Sequence, residues 1–218
     1  MLYGHNFIQH IRSHHKKVGT PEDPTTARLG ESLYQYFVRV IPEGFVEVWN
    51  YEQDRLKQQK EDSLIQSIMG NRMITFVLGE AAYLGLVYYI FGFKALGFHL
   101  LYSVIITLMF ETVNYLEHYG LQRKLLPGST DVYESVKITH SWNAPHVVTN
   151  YALFKLQRHS DHHANSYKPY QILDSFTESP MLPYGYSISI ILSLAPFVWK
   201  RVIDPMAIAT NKGEKLDA

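Results

Sequence analysis

Apolar positions in this chain gather into two long, nearly uninterrupted runs. Met73 to Phe91 is broken only by Glu80, and Ala95 to Leu116 carries His99 near its start and Glu111 near its end. At 19 and 22 residues, each run predicts a helix able to cross a hydrocarbon core of about 30 Å. Gly92-Phe93-Lys94 leaves room only for a tight turn, so the pair predicts a transmembrane helical hairpin, with a buried pair in a soluble core as the alternative. A third run, Ile188 to Trp199, is about half the spanning length and contains Pro196; it reads as a re-entrant or interfacial helix anchored by Lys200 and Arg201. Leu33, Tyr36, Phe37 and Val40 have helical spacing, which should break at Pro42 and resume with Phe45, Val46, Val48 and Trp49 as an amphipathic helix. Gln53 to Asp62 is charged and glutamine-rich, an exposed helix end or linker.

Charge adds an orientation. Nine Lys and Arg precede the two runs, Lys94 sits at their tip and ten follow, so the positive-inside rule puts both flanks on the cytoplasmic side. The overall balance of 20 basic and 20 acidic residues gives no electrostatic case for nucleic acid. The absence of cysteine excludes disulfides, thiolate ligation and iron–sulfur chemistry, so any iron must be held by nitrogen and oxygen. Met1 to Thr20 is polar and histidine-rich, unlike a cleavable signal peptide.

Six of the eleven histidines fall in two short windows, His10, His14 and His15, and His159, His162 and His163. Each is an adjacent pair with a third histidine a helical step upstream, so each cluster can aim imidazoles at a common point. With His118 they supply more nitrogen than one metal ion uses, which predicts a two-metal site built almost entirely from histidine. Glu111, Asn114, Tyr115 and His118 recur at i, i+3, i+4 and i+7, lining one face at the end of the second run. An ionisable group there is costly and marks a functional cavity, so Glu111 is a candidate ligand or ligand partner. Glu117 adjoins His118 on a different face and is a further candidate ligand or ligand partner, although a carboxylate reaching for the surface fits it better than it fits Glu111. Asp161 can orient an imidazole through its second nitrogen. Asp23 can return to the first cluster or merely cap a turn. His140 and His146, flanking Ser141-Trp142-Asn143-Ala144-Pro145, either line the site or lie on a surface loop. His5 and His99 lack a supporting pattern and read as structural.

Imidazole-rich sites suit zinc, copper, iron or nickel. A histidine-rich bimetallic site beside a membrane hairpin points to a lipid-soluble substrate and to redox-active iron, which attacks unactivated carbon through oxygen where zinc cannot. The expected fold is therefore an all-α integral membrane protein: a transmembrane helical hairpin with a cytoplasmic, histidine-rich helical di-iron region, in one partial domain over residues 1–218.

Three strings, Asn114-Tyr115-Leu116-Glu117-His118-Tyr119-Gly120-Leu121, His140-Ser141-Trp142-Asn143 and Leu156-Gln157-Arg158-His159-Ser160-Asp161-His162-His163-Ala164, carry a resemblance. With them the chain resembles the integral-membrane non-haem di-iron alkane hydroxylases, relatives of the membrane fatty-acid desaturases; Thr20 to Arg28 and Val202 to Pro205 are also similar to family sequence. The resemblance implies terminal hydroxylation of a medium- or long-chain n-alkane, with O2 as co-substrate, two non-haem iron ions and electrons from a rubredoxin-type donor. It implies iron ligation by His10, His14, His15, His118, His159, His162 and His163, at the end of a narrow apolar channel. Only the C-terminal half or so of a usual member is represented, and the family's first box, His-Glu-x-x-His-Lys, has no counterpart here. In the second box Gln9 stands where the family usually has Glu, Ile11 for Asn and Ser13 for Gly. Related readings are a lipid-chain desaturase or an alkyl-aromatic monooxygenase, and, outside catalysis, a membrane fragment that binds metal incompletely or needs a partner.

Overall fold

The computed structural model of the protein describes residues 2–59, 68 and 70–214. Regular structure among them is helical: α1 (Asn6–Gln9), a π-helical turn (His10–His14), α2 (His15–Lys17), α3 (Leu33–Gln58), α4 (Arg72–His118), α5 (Val147–Ala152), α6 (His159–Ala164), a 3-10 turn (Tyr170–Ile172), α7 (Tyr186–Ser193) and α8 (Pro196–Lys212). Only isolated bridges, Leu125 to Tyr133 and Asn143 to Met181, interrupt this all-α character among the described residues. Two compact units emerge, one of Met1–Arg12 and Ile41–Phe110, the other of Ser13–Val40 and Glu111–Ala218.

In the first unit, Ile8, Val48 and Met73 are buried together, with Tyr51 and Phe76 packed against them. The side-chain amide of Gln9 packs against Gly44 of α3, where an added Cβ would come within 2.7 Å of it and make the amide shift. Asn71 starts α4: its side-chain oxygen accepts the Met73 N–H at 2.9 Å, satisfying one of the donors a helix start leaves open. Beside it, the fully buried carboxylate of Glu52 accepts from Arg72 at 2.5 Å and from Arg55 at 3.0 Å.

α4 contains both long apolar runs. At 47 residues it would extend about 70 Å if straight, but Gly92 breaks it with φ 80° and ψ −179°. That left-handed φ is open to glycine and strained for other residues. The Tyr83 and His99 rings are 5.1 Å apart, a contact that a continuous helix would stretch to about 24 Å. The reversal is therefore at Gly92 alone, tighter than the three-residue turn expected. Only 6% of the most apolar eighteen-residue window of α4 is buried, so its hydrophobic side chains face outward.

Two expectations are corrected. α3 runs unbroken through Pro42. Proline removes one backbone donor, but Val38 and Pro42 are both exposed, so the unmade bond faces away from the core. The run from Ile188 to Trp199 is not one helix: α7 ends at Ser193, and Pro196 opens α8, where its missing N–H costs nothing. α3 carries the charged stretch as helix to Gln58, while Lys60 to Asp62 lie outside the described residues.

The second unit rests on an aromatic stack. Tyr115 sits 5.4 Å from Tyr36, 5.1 Å from Tyr119 and 5.7 Å from Trp199, ring centre to ring centre. Tyr119 donates to Asp204 at 2.6 Å and Tyr115 to the Glu31 carbonyl at 2.7 Å. These contacts brace the end of α4 from behind.

Glu52 yields a test. Burial alone would raise its pKa, but the hydrogen bonds from Arg72 and Arg55 outweigh it and hold the group down at about 2. Its contribution is complete above the ordinary value of 4.5 and is lost as pH falls towards 2. Glu52→Gln is expected to cost about 2 kcal/mol near neutral pH, read as a lower thermal midpoint by scanning fluorimetry. The difference from wild type should shrink below pH 4.

Candidate metal centre

His14 closes the π turn, buried to 1% exposure, with Nδ1 2.8 Å from Asp23 Oδ2. The Thr26 hydroxyl fixes that carboxylate oxygen at 2.7 Å and the Thr25 N–H holds the other at 3.1 Å. A carboxylate only accepts, so Nδ1 carries the proton and the Nε2 lone pair points away from Asp23. Asp23 thus does return to the first cluster, and its turn is part of the site.

His118 ends α4, fully buried, with Ser141 Oγ 3.4 Å from its Nδ1. The segment around Ser141 fastens that helix end: the Trp142 N–H donates to the Glu117 carbonyl at 2.8 Å and its indole N–H to the Tyr119 carbonyl at 2.9 Å. Terminal helix carbonyls lack partners in the helix itself, and Trp142 supplies them. Asn143 does the same for α6, accepting the Ser160 N–H at 2.9 Å and donating to its hydroxyl at 2.8 Å. Arg158, at the N-cap position, makes no side-chain cap bond.

These supports bring His14, His118, His159 and His163 together, all four buried, each offering a ring nitrogen within 4.8 Å of the others. His159 Nε2 lies 3.0 Å from His118 Nε2, 2.9 Å from His163 Nε2 and 3.2 Å from Glu117 Oε2. One imidazole nitrogen offers a single proton or a single lone pair, so hydrogen bonding cannot satisfy three neighbours at once. Nitrogens about 2.1 Å from one ion and at right angles lie about 3.0 Å apart, so the donor set fits a first-row metal. Burial, then the imidazoles of His159, His14, His118 and His15, holds the His163 pKa well below its ordinary value. Burial, then His162 and His14, pushes His15 down to about 3. Neutral rings at neutral pH are the form that binds metal.

The two sequence clusters do not each converge on one point. Neighbouring helical residues point about 100° apart, so adjacent histidines diverge. His14 joins the quartet, whereas His15 packs on His162 at 4.7 Å between ring centres. The clusters are interleaved. The π turn matters here, because closing on the fifth residue instead of the fourth turns His10 towards the direction of His15.

Glu111, Asn114, Tyr115 and His118 are all buried, as one helix face should be. Glu111 accepts from the Tyr36 hydroxyl at 3.1 Å and from the Asn114 amide at 3.2 Å. The surface reading of Glu117 is corrected. Far from reaching for the surface, it is buried against His159, and the Tyr186 hydroxyl donates to it at 2.6 Å. Asp161 orients no imidazole; Asn165 at 2.6 Å, Lys168 at 3.0 Å and the Asp174 N–H at 2.8 Å take its oxygens and tie the following loop to α6. His140 is engaged locally, with Nδ1 accepting the Lys137 N–H at 3.0 Å and Nε2 3.4 Å from Glu134. His146 is an exposed residue at the start of α5. His5 and His99 have aromatic neighbours, Tyr3 and Phe45 for the first and Tyr83 for the second. Ser141, Asn143 and Tyr186 had no periodicity to betray them; closeness in sequence to His140 and Trp142 offered a signal for the first two, and nothing did for Tyr186.

Among the described residues the structure is helical and gathers histidines from three separate segments at the end of a long apolar helix, which defines a candidate histidine metal site. Residues 1–190 match the fatty acid desaturase family, and the chain belongs to that family. It is 38% identical over 208 residues to alkane 1-monooxygenase 1 of Pseudomonas aeruginosa, covering 95% of this chain and 53% of that protein. It is 39% identical over 214 residues to the alkane 1-monooxygenase of Ectopseudomonas oleovorans, covering 97% and 52%. Against the xylene/toluene monooxygenase hydroxylase component of Pseudomonas putida the identity is 27% over 206 residues, 93% of this chain and 53% of that protein. The chain thus spans about half the length of the curated relatives it matches.

His163→Ala is expected to abolish tight iron binding, measured as metal per chain after anaerobic loading and dialysis. Asp23→Asn should keep the imidazole but weaken affinity about 10- to 100-fold, the usual effect of losing a ligand's orienting partner. His146→Ala should bind like wild type.

Proposed function

We propose that this chain is the metal-bearing part of a membrane di-iron monooxygenase that hydroxylates the terminal carbon of medium- and long-chain n-alkanes. The carrying observation is the buried histidine quartet, in a chain whose alkane 1-monooxygenase relatives are 35–39% identical over 93–97% of its length. The proposed ligands are His14, His118, His159 and His163 for one iron, and His10, His15 and His162 towards a second. Glu117 is a further candidate ligand, and Glu111, Asn114 and Asp23 support the rings. Asp161, His140 and His146 are left out of this set by their partners or exposure.

In this reading the iron supplies the oxygen chemistry that an unactivated C–H bond requires, and the protein supplies position, dryness and ligand electronics. Each turnover consumes one O2, two electrons and two protons, and leaves a primary alcohol and water. Asp23 keeps His14 in one tautomer, Ser141 bears on His118, and Tyr186 holds Glu117 in place. Full burial of the quartet excludes water from the oxidant. Residues 73–91 and 95–116 form the transmembrane hairpin of a single, partial domain, with the histidines on the cytoplasmic side, where a rubredoxin-type donor reaches them. The exposed apolar face of α4 supports this placement, since so large an apolar surface is costly in water. An apolar cavity of about 530 Å³ in the first unit, lined by Ile41, Phe45, Val46, Val104 and Leu108 among others, suits an alkyl chain.

Membranes carrying the chain, given n-octane, O2 and reduced rubredoxin, should yield 1-octanol, identified by gas chromatography, and His163→Ala should yield none above background. An alkene product would contradict hydroxylation. Likeness to the xylene/toluene monooxygenase component favours a second reading, attack on an aromatic methyl group, which p-xylene in the same assay would report as its benzylic alcohol. Absence of oxygen uptake with every substrate would leave a non-catalytic or partner-dependent metal protein.

A further inference from the structure

The outward apolar surface of α4 carries one discordant place. Glu80 stands eight residues into the first arm, about 12 Å from Arg72, where a membrane-spanning arm lies in hydrocarbon. An ionisable group at that depth is expensive and marks a site unless it is fully paired. Glu80 Oε1 accepts the Gly4 N–H at 2.9 Å, and no other donor reaches the carboxylate among the described residues. Beside it is a cavity of about 320 Å³, lined by Leu2, Thr75, Phe76, Glu80, Tyr83 and His99 among others. His99 packs edge-on against Tyr83 at 5.1 Å and lies 3.5 Å from the Ser103 hydroxyl, and the Tyr83 hydroxyl has no partner among the described residues. Glu80, Tyr83 and His99, with the Thr75 hydroxyl, thus line one opening in a surface otherwise apolar.

We propose that this cavity binds the hydroxyl end of a long-chain primary alcohol, held by Glu80, Tyr83 and His99 with its alkyl tail along the apolar arms. A hydroxyl is donor and acceptor together: it donates to the Glu80 carboxylate and accepts from the Tyr83 hydroxyl or an imidazole N–H. An alkane offers none of these bonds. A fatty acid sets a second carboxylate against Glu80. An alkylammonium also pairs with Glu80, so competition between dodecylamine and 1-dodecanol separates the two. The inference rests on the hairpin reading and on an alcohol as product, which this site would receive from the bilayer side.

The experiment is photolabelling of the purified 218-residue chain in nanodiscs with a diazirine-bearing 1-dodecanol, followed by peptide mapping. Labelling is expected within residues 75–83 or around His99, with 1-dodecanol competing about tenfold better than dodecane and dodecanoate competing poorly. Glu80→Leu should reduce labelling about tenfold and Tyr83→Phe, which removes a single oxygen, about threefold, with helicity unchanged by circular dichroism. Ser129→Ala, on an exposed turn, should label as wild type. Equal competition by dodecane, undiminished labelling in Glu80→Leu and Tyr83→Phe, or stronger competition by dodecylamine would each overturn the proposal. No turnover is involved, so failure of alcohol binding and failure of hydroxylation are read separately.

Discussion

Four imidazoles crowded into one buried volume are the constraint on which the second unit depends. Their Nε2 atoms meet at 2.9 and 3.0 Å around His159, where protons and lone pairs cannot all be matched. Left alone, such a cluster is a buried polar group without adequate compensation, a cost of several kcal/mol. A cation held by these rings would turn the same crowding into ligation. The surroundings are consistent with holding rings for that purpose: Asp23 with its two threonines stands behind His14, Ser141 behind His118, and Asn143 fixes the start of the short helix that carries His159 and His163.

Short helices can bear precise ligands only because longer ones brace them. α6 has six residues, too few for stability in isolation. Its position comes from the Asn143 and Ser160 bonds at one end and the Asp161 network at the other, where Lys168 and the Asp174 N–H converge. The end of α4 is held by Trp142 on one side and by the stack of Tyr115, Tyr119 and Trp199 on the other. The second arm of α4 ends in a changed environment, since most of α4 turns apolar side chains outward while its last two turns present a buried polar face.

Much of this was legible in the sequence. The histidine windows, the buried face of Glu111 to His118 and the two apolar arms follow from spacing and hydropathy, whereas for Asp23 the sequence left a return to the cluster and a turn cap equally open. Which histidine meets which did not, because a π turn is invisible to a 3.6-residue pattern and adjacent histidines diverge by nature. Glu117 was misjudged since its environment is made by Tyr186 and His159, distant in sequence. Pro42 read as a break because sequence cannot tell whether the lost hydrogen bond faces core or exterior. Asp161 found Lys168 and Asp174 instead of an imidazole, a choice made by the loop that follows it.

The most direct measurement is iron K-edge X-ray absorption on the iron(II)-loaded chain. A first shell of nitrogen and oxygen only, with the outer-shell scattering of several imidazole rings that weakens in His118→Ala, is the result this account requires. A spectrum of hydrated iron without imidazole scattering, unchanged by that substitution, would contradict it.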